Sequence, residues 1–152
     1  MARDSLQTLY RYEKDKEQTA ANVLQKAQQH YQENLDRVDG ISNYRLDYMN
    51  QLKQKAQTGI GSNTFTHYHN FVAKLDQALI KQKEAVLAAS KVVEQRRQQW
   101  LQQRQKVKAV EVLLEKKKQR QQLIENRNEQ KMFDEIASFF PTILRQPSLF
   151  VV

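Results

Sequence analysis

Cysteine is absent from this 152-residue chain, and glycine and proline are scarce, with only three and two residues. Without cysteine there is no disulfide, no thiol chemistry and no cysteine-ligated zinc. So few glycines and prolines exclude loop-rich folds and β-sandwiches, and they argue against disorder. No run of about 18 apolar residues is present to cross a membrane, and no apolar signal peptide is visible. We therefore expect a soluble, cytoplasmic protein.

Apolar side chains are also too few for an ordinary globular core of this size. They make up 39% of the residues, and the mean hydropathy is −0.83. Long helical assemblies tolerate such a composition because they bury a seam and not a centre. The abundant residues are Gln, Lys, Glu, Arg, Ala and Leu, which lose little side-chain entropy in a helix. The composition therefore predicts long helices.

Two segments carry a heptad repeat. Alternate steps of four and three residues from Leu6 to Leu52 meet ten apolar residues in fourteen, and those from Phe65 to Ile124 meet thirteen in eighteen. An average spacing of 3.5 residues indicates left-handed supercoil seams. Between them, Gly59 allows the positive φ that ends a helix, and Ser62 or Asn63 can cap the next. A connection this short favours two antiparallel helices over one continuous helix that dimerises.

The predicted fold is all-α: a long antiparallel two-helix coiled-coil hairpin over residues 1–140, with its turn near 58–63. The first helix is expected from about residue 4 to 57 and the longer second helix from about 63 to 138. This register places Leu6 opposite roughly residue 115, so residues beyond about 119 have no partner. Pro141 is expected to end the helix. An apolar tail, residues 141–152, then either folds onto the coiled coil or docks on a partner.

The sequence shows no constellation that could carry catalysis. His67 and His69 lie two residues apart, about 200° around a helix, so they cannot share a metal ion. No phosphate-binding loop, nucleophile elbow or spaced carboxylate set occurs. We predict a protein that is not an enzyme and uses neither a metal ion nor a cofactor.

Positive charge is concentrated in the second half of the chain. Residues 81–131 carry 14 Lys and Arg against 6 Asp and Glu, whereas residues 1–80 carry 10 against 9. The densest basic run contains Lys116, Lys117, Lys118 and Arg120. Such a run is either a solvated face or a surface for an acidic partner or nucleic acid. Glutamates interrupt the charges, so only weak, salt-sensitive nucleic-acid binding is expected.

Aromatic residues gather on both sides of the predicted turn. Tyr44 and Tyr48 lie one turn apart, and the hairpin brings Tyr48 near Phe71 and Tyr44 near Leu75. Tyr48 and Leu75 belong to the seam, while Tyr44 and Phe71 lie one position off it. A two-helix coiled coil cannot bury adjacent positions fully, so part of this aromatic surface should stay exposed. Exposed aromatic patches are typical of interaction sites.

The size, the loop and an ordered set of short motifs resemble the FliJ family, the coiled-coil proteins of the bacterial flagellar type III export apparatus. The motifs are Tyr44-x-x-x-Tyr48, Asn70-Phe71-x-x-x-Leu75, Val93-Glu94-x-x-Arg97-x-x-Trp100 and Arg127-Asn128-Glu129-Gln130-Lys131-x-x-Asp134-Glu135. The apolar sequence from Phe139 onward departs from the usual polar ending of the family.

The resemblance implies a fold like the rotor stalk of F-type ATPases. It also implies a stalk in the central pore of the export ATPase hexamer, with contacts to the membrane-embedded export gate and to substrate chaperones. The gate-binding patch would consist of Arg37, Ile41, Tyr44, Tyr48, Phe71, Leu75, Ala78 and Gln82. Lys116, Lys117, Lys118 and Arg120 would contact the ATPase ring. The alternatives are the stalk protein of a virulence-type secretion system and a basic coiled coil that binds nucleic acid.

Overall fold

Two helices make up the chain in the computed structural model, which describes residues 2–144 and the side chains of residues 5–140. Helix α1 spans Ala2–Thr58 and helix α2 spans Ser62–Leu144, with 57 and 83 residues. They pack antiparallel as a hairpin. The predicted fold class is thus confirmed, including the longer second helix. Within the described residues, neither helix is long and apolar enough to cross a membrane.

The turn comprises residues 59–61 and depends on glycine. Gly59 has φ +83°, a left-handed conformation that L side chains rarely adopt. The carbonyl of Gly61 accepts a hydrogen bond from the Phe65 N–H at 3.1 Å, which opens α2 at Ser62. The predicted turn position is therefore correct to within a residue or two.

The predicted seams are the buried faces of the two helices. All fourteen seam positions of α1, from Leu6 to Leu52, are buried or half-buried. So are sixteen of the eighteen in α2, the exceptions being Phe65 and Ile124. The most deeply buried apolar residues are Val107 and Ala89. A narrow seam of this kind lets so polar a chain bury the apolar residues of its heptad positions.

The chain divides into two compact units, one of residues Glu13–Gln105 and one of residues Met1–Tyr12 with Lys106–Val152. The first unit contains the turn and its aromatic residues. In the second, Tyr10 donates a hydrogen bond to Glu111 Oε1 at 3.5 Å. Further along α2, every residue from 122 to 140 is exposed. The expected loss of a helical partner near residue 119 is thus confirmed.

Pro141 does not end α2, and the prediction that it would is wrong. The helix continues to Leu144. Proline lacks an N–H and so forfeits the backbone hydrogen bond to the carbonyl of residue 137, but its fixed φ is compatible with helix. Of the predicted tail, residues 141–144 extend α2, and residues 145–152 lie outside the described residues.

Candidate functional site

Four aromatic rings from the two helices form one cluster beside the turn. The rings of Tyr48 and Phe71 have centroids 4.5 Å apart, and those of Tyr48 and Tyr68 are 5.1 Å apart. Tyr44 extends the cluster outward, with its ring 5.8 Å from Tyr48 and 6.2 Å from Phe71. These separations are typical of favourable offset and edge-on aromatic pairs. The predicted approach of Tyr48 to Phe71 is therefore observed.

Exposure differs sharply within this aromatic cluster. Tyr44 is 51% exposed, whereas Tyr48, Tyr68 and Phe71 are half-buried. The rings of Tyr48 and Phe71 contact Tyr44, and about half of the Tyr44 surface remains in solvent. A rigid, half-solvated aromatic surface suits protein recognition, because little side-chain entropy is lost when a partner covers it.

The remaining members of the predicted patch lie along the same two helical stripes but differ in environment. Ile41 and Leu75 are half-buried, whereas Arg37 and Ala78 are exposed. Gln82 is directed into the seam, where it donates hydrogen bonds to Asn34. Its amide is thus occupied within the hairpin, so Gln82 is the patch member least suited to contacting a partner.

Polar interactions flank the aromatic cluster on both sides. Arg45 Nε donates to Asp76 Oδ1 and joins the two helices. Lys55 Nζ donates to the Tyr68 hydroxyl and lies 4.7 Å from the centre of that ring. Both contacts tie α1 to α2 across the region that contains Tyr44. They are partly solvated, so each stabilises the hairpin only modestly.

Sequence reasoning missed Tyr68 and Lys55 as members of this site. Tyr68 follows Phe65 as the second position of the α2 seam, yet its ring reaches the cluster through Tyr48. Its spacing of three residues from Phe71 was the available signal, since residues i and i+3 share a helical face. Phe65, which is 45% exposed, extends the aromatic surface toward the turn and stacks on His69 at 6.2 Å.

The basic run lies on α2 in the other compact unit. Lys116, Lys118 and Arg120 are exposed, and Lys117 is half-buried at a seam position. Lys117 and Arg120 border a shallow apolar groove that Leu6, Leu9 and Leu113 help to line. The basic run therefore has two parts: three solvated cations, and one lysine that lies partly in the interface between the helices.

In the motif around Trp100, the Glu94 and Arg97 side chains are exposed on the surface of α2, whereas Trp100 is half-buried on the seam. Arg97 donates from Nε and Nη2 to the two carboxylate oxygens of Glu94, at 3.1 and 3.0 Å. This bidentate pairing holds the pKa of Glu94 below its ordinary value. The guanidinium of Arg104 lies 5.4 Å from the Trp100 ring centre. These contacts stabilise helix α2 locally.

No group of three potential metal-ligating side chains occurs among the described residues. The grooves are open to solvent and lack the walls that tune a catalytic pKa. The fold and the exposed aromatic cluster define a class: an antiparallel coiled-coil hairpin with an exposed aromatic surface beside its turn.

The comparison with known proteins identifies the family within this class. The sequence model of the family described as "Flagellar FliJ protein" matches residues 1–141. The flagellar FliJ protein of Escherichia coli K12 is 26% identical over 118 residues, covering 78% of this chain and 80% of that protein. The FliJ protein of Salmonella typhi is 24% identical over 133 residues, covering 88% and 90%. The chain belongs to the FliJ family.

Membership makes the chain a component of flagellar type III protein export without enzymatic activity. Among solved structures, a putative YscO homolog from Chlamydia trachomatis is 19% identical and covers 96% of this chain and 94% of its own. Its TM-score is 0.46, too low to carry an argument.

Proposed function

We propose that this protein is a stalk and coupling component of the flagellar export apparatus, with separate surfaces for the export gate and the export ATPase. The observation that carries the proposal is the aromatic cluster, in which half-buried rings support a Tyr44 side chain that is 51% exposed. The exposed part of Tyr44 stabilises the hairpin little and suits a partner well.

The gate-binding surface consists of the exposed parts of the predicted patch, centred on Tyr44 and Phe71. Tyr68 and Phe65 extend it toward the turn. Arg37 and Ala78 form its far edge, and both are exposed. Gln82 supports this surface from within the seam and does not contact the gate itself, since its amide donates a hydrogen bond to Asn34.

The ATPase-binding surface consists of Lys116, Lys118 and Arg120, which are exposed on α2. Cations at the surface steer an acidic partner and raise its association rate, an effect that salt screens. Substrate chaperones are further partners that the family resemblance implies. The protein then works in the cytoplasm and associates with the inner membrane at the flagellar base through these partners alone.

Binding to the cytoplasmic part of the gate protein tests the first surface. Tyr44→Ala should weaken binding about tenfold or more, because it removes an exposed aromatic anchor. Leu46→Ala is the matched control, since Leu46 is 58% exposed on the same helix outside the patch and should bind normally. Unchanged binding by Tyr44→Ala and Phe71→Ala, with helix content preserved, would refute the patch.

Binding to the export ATPase tests the second surface. The triple substitution of Lys116, Lys118 and Arg120 by Glu should reduce ATPase binding. Raising the salt concentration should also weaken the complex of the wild-type protein, because salt screens the same charges. Lys81 and Lys83, exposed in the other compact unit, provide the control for a general change of net charge. ATPase binding that depends equally on both sets would exclude a specific basic site.

A further inference from the structure

Two exposed leucines, one from each helix, form the centre of a groove near the start of α1. Leu9 is 41% exposed and Leu113 is 49% exposed. The groove has a volume of about 560 Å³, and its lining residues are Ser5, Leu6, Leu9, Leu113, Lys117 and Arg120. A second groove continues it along α1 to Thr8 and Tyr12, and Tyr12 is 54% exposed. Large apolar side chains that two helices expose side by side are typical of a docking surface.

The charges around this groove are all positive. Lys117 and Arg120 line it, and none of the described residues that line it or its continuation is acidic. Lys106, Leu113 and Arg120 follow one another at intervals of seven residues, so they lie on one side of α2. Lys116 lies about 60° from Leu113 around the same helix, and both Lys106 and Lys116 are exposed. The leucines are therefore surrounded by cations.

One carboxylate lies near this side of α1. Glu13 is about 40° from Leu9 around the helix. It is half-buried, and its Oε2 and backbone carbonyl accept hydrogen bonds from the Gln103 amide. The charge of Glu13 is thus engaged in the seam, and the groove keeps its positive surroundings.

The groove on the opposite side of the seam has mixed charges. Its lining includes Glu111 and Glu115 as well as Lys118, and these residues project roughly 140° to 160° away from Leu113 around α2. Such a mixture favours neither an acidic nor a basic partner. Charge complementarity therefore favours an acidic partner, and it favours the groove at Leu9 and Leu113 over the opposite one.

An α-helix is the element that suits this groove. The backbone groups of α1 and α2 are paired within their own helices, so they present no strand edge to an extended peptide. A third helix with apolar residues at every third or fourth position can pack between Leu9 and Leu113. The groove and its continuation extend from Ser5 to Tyr12, which is about two helical turns. A short amphipathic helix therefore fills it.

We propose that this groove binds an acidic amphipathic helix of the export ATPase. The apolar side chains of that helix insert between Leu9 and Leu113, and its carboxylates face Lys116 and Arg120. The inference rests on the proposed ATPase-binding surface and adds an apolar half to it. It also divides that surface, because Lys118 lies on the other side of α2 and contributes only long-range attraction.

The rates of association with the export ATPase and of dissociation from it test the groove. Leu9→Ser with Leu113→Ser should weaken binding at least about tenfold, mainly through faster dissociation, because the apolar contacts form after the encounter. Circular dichroism should show unchanged helix content in this double variant. Leu87→Ser with Val112→Ser is the matched control, since both side chains are more than half exposed and neither lines the groove. Its binding should equal that of the wild-type protein.

Single charge substitutions test which side of α2 faces the partner. Arg120→Gln and Lys118→Gln each remove one positive charge from the same helical turn, but only Arg120 lines the groove at Leu113. Arg120→Gln should slow association with the ATPase several-fold at low salt, and Lys118→Gln should slow it clearly less. Equal effects would indicate a response to net charge alone and would overturn the proposed geometry.

A synthetic helical peptide tests the chemistry of the occupant without the ATPase. The probe carries leucines along one face and glutamates on both flanks, and a second peptide has lysines in place of the glutamates. Fluorescence anisotropy should show that the acidic peptide binds the full chain at concentrations up to about 200 µM. The basic peptide should not bind, and the double serine variant should lose the acidic one.

The outcomes separate this inference from the proposed function. If the triple glutamate variant loses the ATPase and the double serine variant keeps it, the groove is not the site and the charged surface stands. If both variants keep the ATPase while the acidic peptide still needs Leu9 and Leu113, the ATPase is the wrong partner and the class of occupant is right. Equal binding of the acidic peptide by the wild-type protein and the double serine variant, or no binding, would overturn the inference. Binding of anionic phospholipid vesicles that depends on the same two leucines would assign the groove to a lipid surface instead.

Discussion

Gln82 joins the two helices by donating from one amide nitrogen to two oxygens of Asn34, the side-chain Oδ1 at 2.8 Å and the backbone carbonyl at 3.3 Å. Asn34 is only 3% exposed. Gln103 repeats the arrangement on Glu13, with distances of 2.5 Å to Oε2 and 3.0 Å to the carbonyl. The two contacts are three heptads apart on both helices. Each is a polar layer across an apolar seam.

These layers should fix the register of the hairpin more than they stabilise it. Gln82→Leu leaves the buried Asn34 side chain without its cross-helix donor and should lower the free energy of unfolding by about 1–3 kcal/mol. Replacing both Asn34 and Gln82 by Leu should recover most of that loss, because leucine packs well in a seam. Chemical denaturation followed by circular dichroism measures both effects.

The double leucine variant should also lose uniqueness of register, as happens when a buried polar layer is removed from a coiled coil. Cysteine pairs placed across the helices, in register and one heptad out of register, would show this directly. If the double variant forms only the in-register disulfide, the polar layer has no role in specifying alignment.

Gly40 and Gly59 should respond differently to alanine. Gly40 lies within α1, and a Cβ added there would meet nothing within 4 Å, so Gly40→Ala should stabilise the hairpin by about 0.5–1 kcal/mol. Gly59→Ala should destabilise it by more than about 1 kcal/mol, because the φ of +83° is strained for alanine. Equal effects at the two positions, measured by thermal unfolding, would contradict the assignment of Gly59 as the turn residue.

Alanine substitutions at Tyr44 and Phe71 should distinguish an effect on gate binding from an effect on the stability of the hairpin. Phe71 is half-buried against Tyr48, and Phe71→Ala should lower the free energy of unfolding by about 2–3 kcal/mol. Tyr44→Ala should cost less than about 1 kcal/mol, because much of its ring is already solvated. Denaturation curves for both variants, beside the gate-binding assay, give the comparison. A large loss of stability in Tyr44→Ala would make Tyr44 a core residue.

Truncation should show that the end of α2 contributes little to the stability of the monomer. Removal of residues 122–152 at low protein concentration should change the free energy of unfolding by less than about 0.5 kcal/mol, since residues 122–140 are exposed throughout. Removal of residues 1–12 is the control and should cost several times more, because it uncovers the α2 seam that includes Val110. Similar losses would indicate that the end of α2 packs on the hairpin.

Most of the fold was readable in the sequence because a coiled coil is specified by a local period. The spacing from Leu6 to Leu52 and from Phe65 to Ile124 predicted the buried positions almost one by one. Gly59 located the turn. Pro141 is the exception. Proline inside a helix usually breaks it, but the loss of a single N–H does not end α2 at this position.

The tertiary structure decided what each seam position does and how far its neighbours are exposed. Periodicity places Gln82 and Asn34 on the seam, but only the packed helices show that their side chains bond to each other. Likewise, spacing brings Tyr44 near Phe71, yet the exposure of Tyr44 and the inclusion of Tyr68 depend on how the rings pack. The heptad sets burial along one helix, whereas hydrogen bonds and ring contacts arise between helices, where side-chain length and rotamer decide the outcome.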